Sequence, residues 1–120
     1  MTLELLEKEY AVCRLDEPAL PGGEFVSLTM SGGEISLVCE AAAAPGGGAV
    51  ERGWRGLRVA GVLDFSLVGV LAALTSALAD AGIPVFAVST YNTDYLFVKE
   101  ENLSAALRAL AAYGHRLAGA

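Results

Sequence analysis

The sequence predicts an α+β chain in which a β-α-β-β-α unit follows a strand-rich first half. Three observations carry this. Leu67, Leu71, Leu74 and Leu78 recur at helical spacing and stop at Gly82 and Pro84. Apolar runs at 83–89 and 94–99 flank the turn residues Tyr91, Asn92 and Thr93. Upstream, strand-like runs are separated by glycine and proline clusters, with no convincing helix among them. The division falls at 1–50 and 51–120.

Along the first half, 9–15 reads as a strand and 16–24, with two prolines and a Gly-Gly pair, as a surface loop. Residues 25–30 and 35–40 are strands around the hairpin signal Ser31-Gly32-Gly33-Glu34. The segment 41–53 reads as a linker, because Pro45 and its glycines oppose a stable helix. In the second half, 57–62 is a strand and a helix covers 66–81, with Ser66 as its N-cap. The run 83–89 is apolar on both faces, as a central strand requires, and 94–99 returns antiparallel. Leu103, Ala106, Leu107 and Leu110 place a second helix, closed by Gly114, after which 115–120 is expected to fray. Ala72, Ala73, Thr75, Ser76 and Ala79 form the outer face of the first helix, with Asp80 its only charge. Such a face suits a homodimer contact, or simply an alanine-rich helix.

At 120 residues and 54% hydrophobic content, the chain can bury a large core as one compact domain or as two half-size units. The longest uncharged run, 65–79, falls short of a membrane span. The start, MTLELLEKEY, has no basic region of a signal peptide, so a cytoplasmic chain is expected. The net charge is −6, and the first 50 residues carry eight acids against Lys8 and Arg14. That balance argues against nucleic acid or an anionic membrane as a partner. Cys13 and Cys39 match no zinc spacing and read as buried reduced thiols, with a disulfide or redox role as the alternative.

The residues that suggest chemistry lie in the loop before the first helix and in the hairpin. An amino acid needs an anion site, a cation site and a side-chain pocket. Backbone amides of the first helical turn, near 67–69, suit a carboxylate. Asp64 either accepts an ammonium or helps to cap the helix. Asp94 either holds an ammonium or basic side chain, or bonds within its own turn. Ser89, Thr90 and Asn92 supply hydrogen bonds to a ligand or to the turn. Val62, Leu63, Phe65 and Ser66 complete the loop, with Phe65 covering a ligand or packing the core. Trp54 lines a pocket or locks the two halves together. Arg55 and Arg58 pair with the acidic first half or meet an acidic ligand. Catalysis is not expected. His115 is the only histidine and sits in the tail, and no nucleophile–base set assembles around it. No phosphate-binding or dinucleotide glycine pattern occurs, so no cofactor is expected.

Three stretches resemble a known family: Glu34-Ile35-Ser36-Leu37-Val38-Cys39, then Gly61-Val62-Leu63-Asp64-Phe65-Ser66-Leu67-Val68-Gly69-Val70-Leu71-Ala72, and Ser89-Thr90-Tyr91-Asn92-Thr93-Asp94-Tyr95. In order and motif they resemble the ACT domain, a regulatory module of ferredoxin-like topology. The likeness extends to CASTOR-type arginine sensors and short bacterial proteins with paired ACT-like units. It implies a ferredoxin-like second unit, a trimmed ACT-like first unit, and an amino acid or similar zwitterion as ligand. It also implies that the loop 62–66 wraps the ligand while Asp94 helps to hold it. Two departures bear on this. The loop has no glycine between Gly61 and Gly69, and the chain has two ACT-like units where the arginine sensors have four. A complete site then requires a dimer, and arginine is disfavoured as its ligand. The competing expectation is an ACT-fold dimerisation module that has lost its ligand and acts on a separate partner protein.

Overall fold

The computed structural model describes residues 1–63 and 67–119. In chain order the elements are β1 (Thr2–Leu15), β2 (Ser27–Ser31), β3 (Glu34–Glu40), β4 (Gly48–Val59), α1 (Val70–Asp80), β5 (Phe86–Ser89), β6 (Asp94–Lys99), α2 (Leu103–Ala112) and β7 (Arg116–Leu117). Single 3₁₀ turns occupy Ala41–Ala43 and Glu100–Asn102. The chain divides into two compact units, Met1–Glu7 with Arg55–Ala120, and Lys8–Trp54.

In the larger unit the strand order is β1-β4-β6-β5. Numbered by role, this is the 4-1-3-2 order of a ferredoxin-like β-α-β-β-α-β fold, and the chain's first residues supply the last strand. The amide of Ala60 donates to the Thr2 carbonyl at 2.9 Å, and Arg58 meets Glu4 at 2.8 Å. Contacts that run in opposite senses along the two strands make β1 and β4 antiparallel. β5 and β6 pair antiparallel from Phe86↔Phe97 to Ser89↔Asp94. Leu3, Leu57, Val59, Leu96 and Val98 from the strands pack with Leu74, Leu78, Ala106 and Leu110 from α1 and α2 to form the core. Phe86 and Phe97 stack with their ring centres 4.8 Å apart.

The smaller unit contains no α-helix. β3 pairs antiparallel with β2 and with β1, and encloses Ala11, Cys13, Leu15, Leu37, Cys39 and Ala41. Ala11 faces Cys39 and Cys13 faces Leu37, so the two thiols are diagonal neighbours on one sheet face. Both are free and buried. Burial, followed by the neighbouring Cys13, pushes the Cys39 thiol up to about 11.

Several boundaries differ from the sequence reading. β1 starts at Thr2 rather than residue 9. Its buried residues Leu3, Leu6 and Tyr10 are spaced by three and four, which obscures strand alternation. The expected linker over 41–53 is cut short, because β4 begins at Gly48. A Cβ at Gly48 would lie 2.1 Å from the Arg14 carbonyl oxygen, so this glycine permits a close backbone approach rather than breaking a strand. β4 ends at Val59 instead of residue 62, and β5 starts at Phe86 instead of residue 83. The first helix starts at Val70, with Gly69 rather than Ser66 in the N-cap position. The tail expected to fray instead forms β7, which pairs parallel with β1 through Thr2↔Arg116 and Leu3↔Leu117.

Candidate functional site

Beside the N-terminus of α1, in the larger unit, lies a groove of about 260 Å³. Its floor and walls come from the chain preceding α1, the first turn of α1, and the β5–β6 hairpin. The local sequence builds each part. Gly69 takes φ +80°, a left-handed conformation that glycine reaches without strain, and this turns the chain into α1. The amide of Ala73 donates to the Gly69 carbonyl at 2.8 Å, the first bond of the helix. The amides of Val70, Leu71 and Ala72 therefore have no partner within the helix, and the positive end of the helix dipole falls at the groove.

The hairpin is held by its own side chains. The Thr90 amide donates to the Thr93 carbonyl at 2.8 Å, and the Thr90 hydroxyl donates to the same oxygen at 3.1 Å. Thr93 is buried, and its hydroxyl donates to the Val59 carbonyl at 2.8 Å, fixing the turn to the end of β4. The Leu63 amide donates to the Asn92 carbonyl at 2.6 Å and ties the other wall to the hairpin. The Ser89 hydroxyl donates to the Asp94 carboxylate at 2.5 Å across the last residue pair of the hairpin. This contact fixes one carboxylate oxygen, while the half-buried side chain still lines the groove.

Of the residues expected from the sequence, Leu63, Ser89, Thr90, Asn92 and Asp94 all line this groove. Val62 does not; its side chain is 75% exposed. Asp64, Phe65 and Ser66 lie outside the described residues. Arg58 is held by Glu4, whereas Arg55 pairs with Glu100 in the second half at 3.0 Å and also donates to the Leu6 carbonyl. Neither arginine lines the groove, nor does Trp54. The sequence reading missed Val70, Leu71, Tyr91 and Thr93 as lining residues. The leucine periodicity marks Leu71 only as a core residue, and a threonine within a polar turn gives no sign that it is buried. Among the described residues, no three His, Cys, Asp or Glu side chains group as metal ligands. Among the described residues, no helix is long and apolar enough to cross a membrane.

The groove thus brings together a carboxylate, the N-terminal turn of a helix and apolar walls. The known proteins that this chain is similar to share its architecture. A protein from Agobacterium tumefaciens superposes with a TM-score of 0.88 at 34% identity, over 97% of this chain and 90% of that one. A Vibrio cholerae protein of unknown function gives a TM-score of 0.74 at 25% identity, over 93% and 88%. The regulatory subunit of aspartate kinase from Thermus thermophilus, in its ligand-free form, shares the fold with a TM-score of 0.67 at 14% identity, over 92% and 95%. Residues 49–112 match the sequence model of the ACT domain, a regulatory ligand-binding module. That match spans more than half of the chain and covers β4 through α2, so the protein belongs to the ACT-domain family.

Proposed function

We propose that this protein is a non-enzymatic sensor that binds an amino acid in the groove between the N-terminus of α1 and the β5–β6 hairpin. The carrying observation is that Asp94 and the first turn of α1, at Val70 and Leu71, line the same groove. The amides bind the ligand carboxylate, and Asp94 accepts its ammonium. Leu63, Ser89, Thr90 and Asn92 enclose the ligand, and the loop residues Asp64, Phe65 and Ser66 are assigned to the site from the sequence resemblance alone. A volume of about 260 Å³ lies below the ~300–1,000 Å³ usual for cofactor and drug-sized ligands, which favours a single amino acid over a nucleotide.

The likeness to CASTOR-type arginine sensors supports a site completed by further ACT units. In this reading the half 1–50 and the ACT domain 51–120 form one subunit of a homodimer, and a second copy covers the groove. Signal output then passes to a separate protein in the cytoplasm.

A thermal-shift screen against the twenty amino acids at millimolar concentration tests the proposal. At a hundredfold excess over its dissociation constant, a ligand stabilises the fold by about 2.7 kcal/mol. A shift with one amino acid or one class, lost in Asp94→Ala, supports the sensor. A second reading, a ligand-free dimerisation module, is favoured by the exposed small-residue face of α1 at Ala72, Ala73, Ser76 and Ala79. It predicts a flat screen and self-association lost in Ala73→Glu.

A further inference from the structure

We infer that Cys13 and Cys39 form a two-thiolate site for a soft monovalent metal ion, with Cu(I) as its occupant. The site is independent of the amino-acid groove, because both cysteines belong to the smaller unit. β1 and β3 pair antiparallel with Ala11 opposite Cys39 and Cys13 opposite Leu37. Side chains alternate between the faces of a strand, so these four residues share one face and the two thiols approach along its diagonal. They interact directly: Cys13 acts on Cys39 through its charge and through a side-chain hydrogen bond. Cys13 is 1% exposed and Cys39 0%, and Ala11, Leu15, Leu37 and Ala41 belong to the same buried cluster. Two thiols held side by side in apolar surroundings are a ready pair of soft ligands.

Their spacing favours a bridging metal over a disulfide. Diagonal neighbours on a sheet lie roughly 7–8 Å apart, whereas a disulfide usually holds its Cα atoms about 4.4–6.8 Å apart. Two metal–thiolate bonds of about 2.3 Å each reach across more than twice an S–S bond of about 2 Å. A metal ion therefore closes a gap that direct oxidation could close only by shifting the strands. Cu(I) is soft, is satisfied by two thiolates, and carries one charge. The resulting pair keeps a single negative charge, and the Arg52 guanidinium acts on Cys39 in the sense that favours the thiolate. An entry path exists as well. Cys13 lines a groove of about 390 Å³ together with Ser36 and the exposed acids Glu34 and Glu51. These carboxylates raise the local concentration of cations. Arg14 also lines the groove, with its guanidinium donating to the Gly33 carbonyl at 3.4 Å.

Anaerobic titration of the reduced full chain with Cu(I) buffered by bicinchoninate tests the site. The protein should take one equivalent from the competitor, gain thiolate-to-copper charge-transfer absorption in the near ultraviolet, and melt at a higher temperature. Cys13→Ala and Cys39→Ala should each lose that absorption and keep the circular dichroism of the parent. X-ray absorption on the loaded, unmodified protein needs no variant, and two sulfur neighbours around copper are expected. The inference is overturned if the competitor keeps the copper, or if copper is ligated by nitrogen and oxygen alone. It is equally overturned if the double variant C13A/C39A still binds one equivalent, or if Zn(II) displaces Cu(I).

Discussion

Asp94 and Thr93 are adjacent in sequence but have opposite tasks. Asp94 opens β6 half-buried, accepts a hydrogen bond from Ser89 and lines the groove. Replacing it with alanine removes a ligand contact while disturbing only a bond at the hairpin's edge. Asp94→Ala is expected to lower unliganded stability by no more than about 1 kcal/mol and to abolish the ligand-induced thermal shift. Thr93 turns inward, is buried, and spends its hydroxyl on the Val59 carbonyl. Thr93→Val keeps the shape but strands a carbonyl that the turn had covered. A loss of about 1–3 kcal/mol in urea denaturation is expected, with ligand binding weakened because the hairpin is no longer pinned to β4. Equal effects of the two variants on stability and binding would mean that these tasks are not separate. Cys39 adds a pH dependence. Its folded pKa, about 11, lies above the ordinary thiol value of 9.0, so burial holds the thiol neutral. That contribution is fully present below pH 9 and is lost as the pH rises through 11, because the unfolded chain ionises first. Chemical denaturation at pH 8 and pH 10.5 should show falling stability, and Cys39→Ala should flatten the fall.

At the scale of elements, the start of α1 decides where the site's amides point. The sequence marks a helix by its leucines but cannot show that the chain enters it through a left-handed residue at Gly69 rather than at a serine cap. Among the described residues, a Cβ at Gly69 would meet no neighbour within 4 Å, so Gly69→Ala probes the backbone conformation that its φ of +80° requires. It should cost about 1–2 kcal/mol in thermal unfolding and weaken ligand binding by re-aiming the first turn. A binding constant that stays unchanged would remove the helix terminus from the site. The same contrast explains which parts of the fold were legible. Asp94–Lys99 and the close of α2 are local patterns, one of uninterrupted apolar character and the other of leucine spacing ended by Gly114, and both lie where the sequence places them. Both helices end alike, with Ile83 and His115 amides returning to the Leu78 and Leu110 carbonyls at 3.0 Å. What was not legible depends on distant partners. The early start of β1 and the existence of β7 follow from Thr2 and Leu3 meeting Arg116 and Leu117, more than a hundred residues away. In the groove, the polar rim could be read from a hairpin signature, whereas Leu71 and Tyr91 join it only through tertiary placement.

For the whole molecule, the unresolved economy is the apolar surface around the groove. Leu67 and Tyr91 line it, and Val62 and Val68 lie close by in the chain, with Val68 94% exposed. A single copy leaves these side chains in water beside the opening through which a ligand would enter, which is the arrangement a second copy can bury. Sedimentation velocity should therefore show a dimer whose dissociation constant falls when the amino acid found in the thermal-shift screen is added. Thermodynamic reciprocity then requires that amino acid to bind the dimer more tightly by the same factor. Because each copy carries a net charge of −6, their approach is opposed by repulsion, and association should strengthen as added salt screens it. Val68→Asp places a charge where the single copy has no packing to lose, so folding should be unaffected while dimerisation and amino-acid affinity decline together. If the protein stays monomeric at every concentration and binds the amino acid with full affinity, one copy holds a complete site. In that case the exposed rim serves a different protein, the one to which the sensor reports.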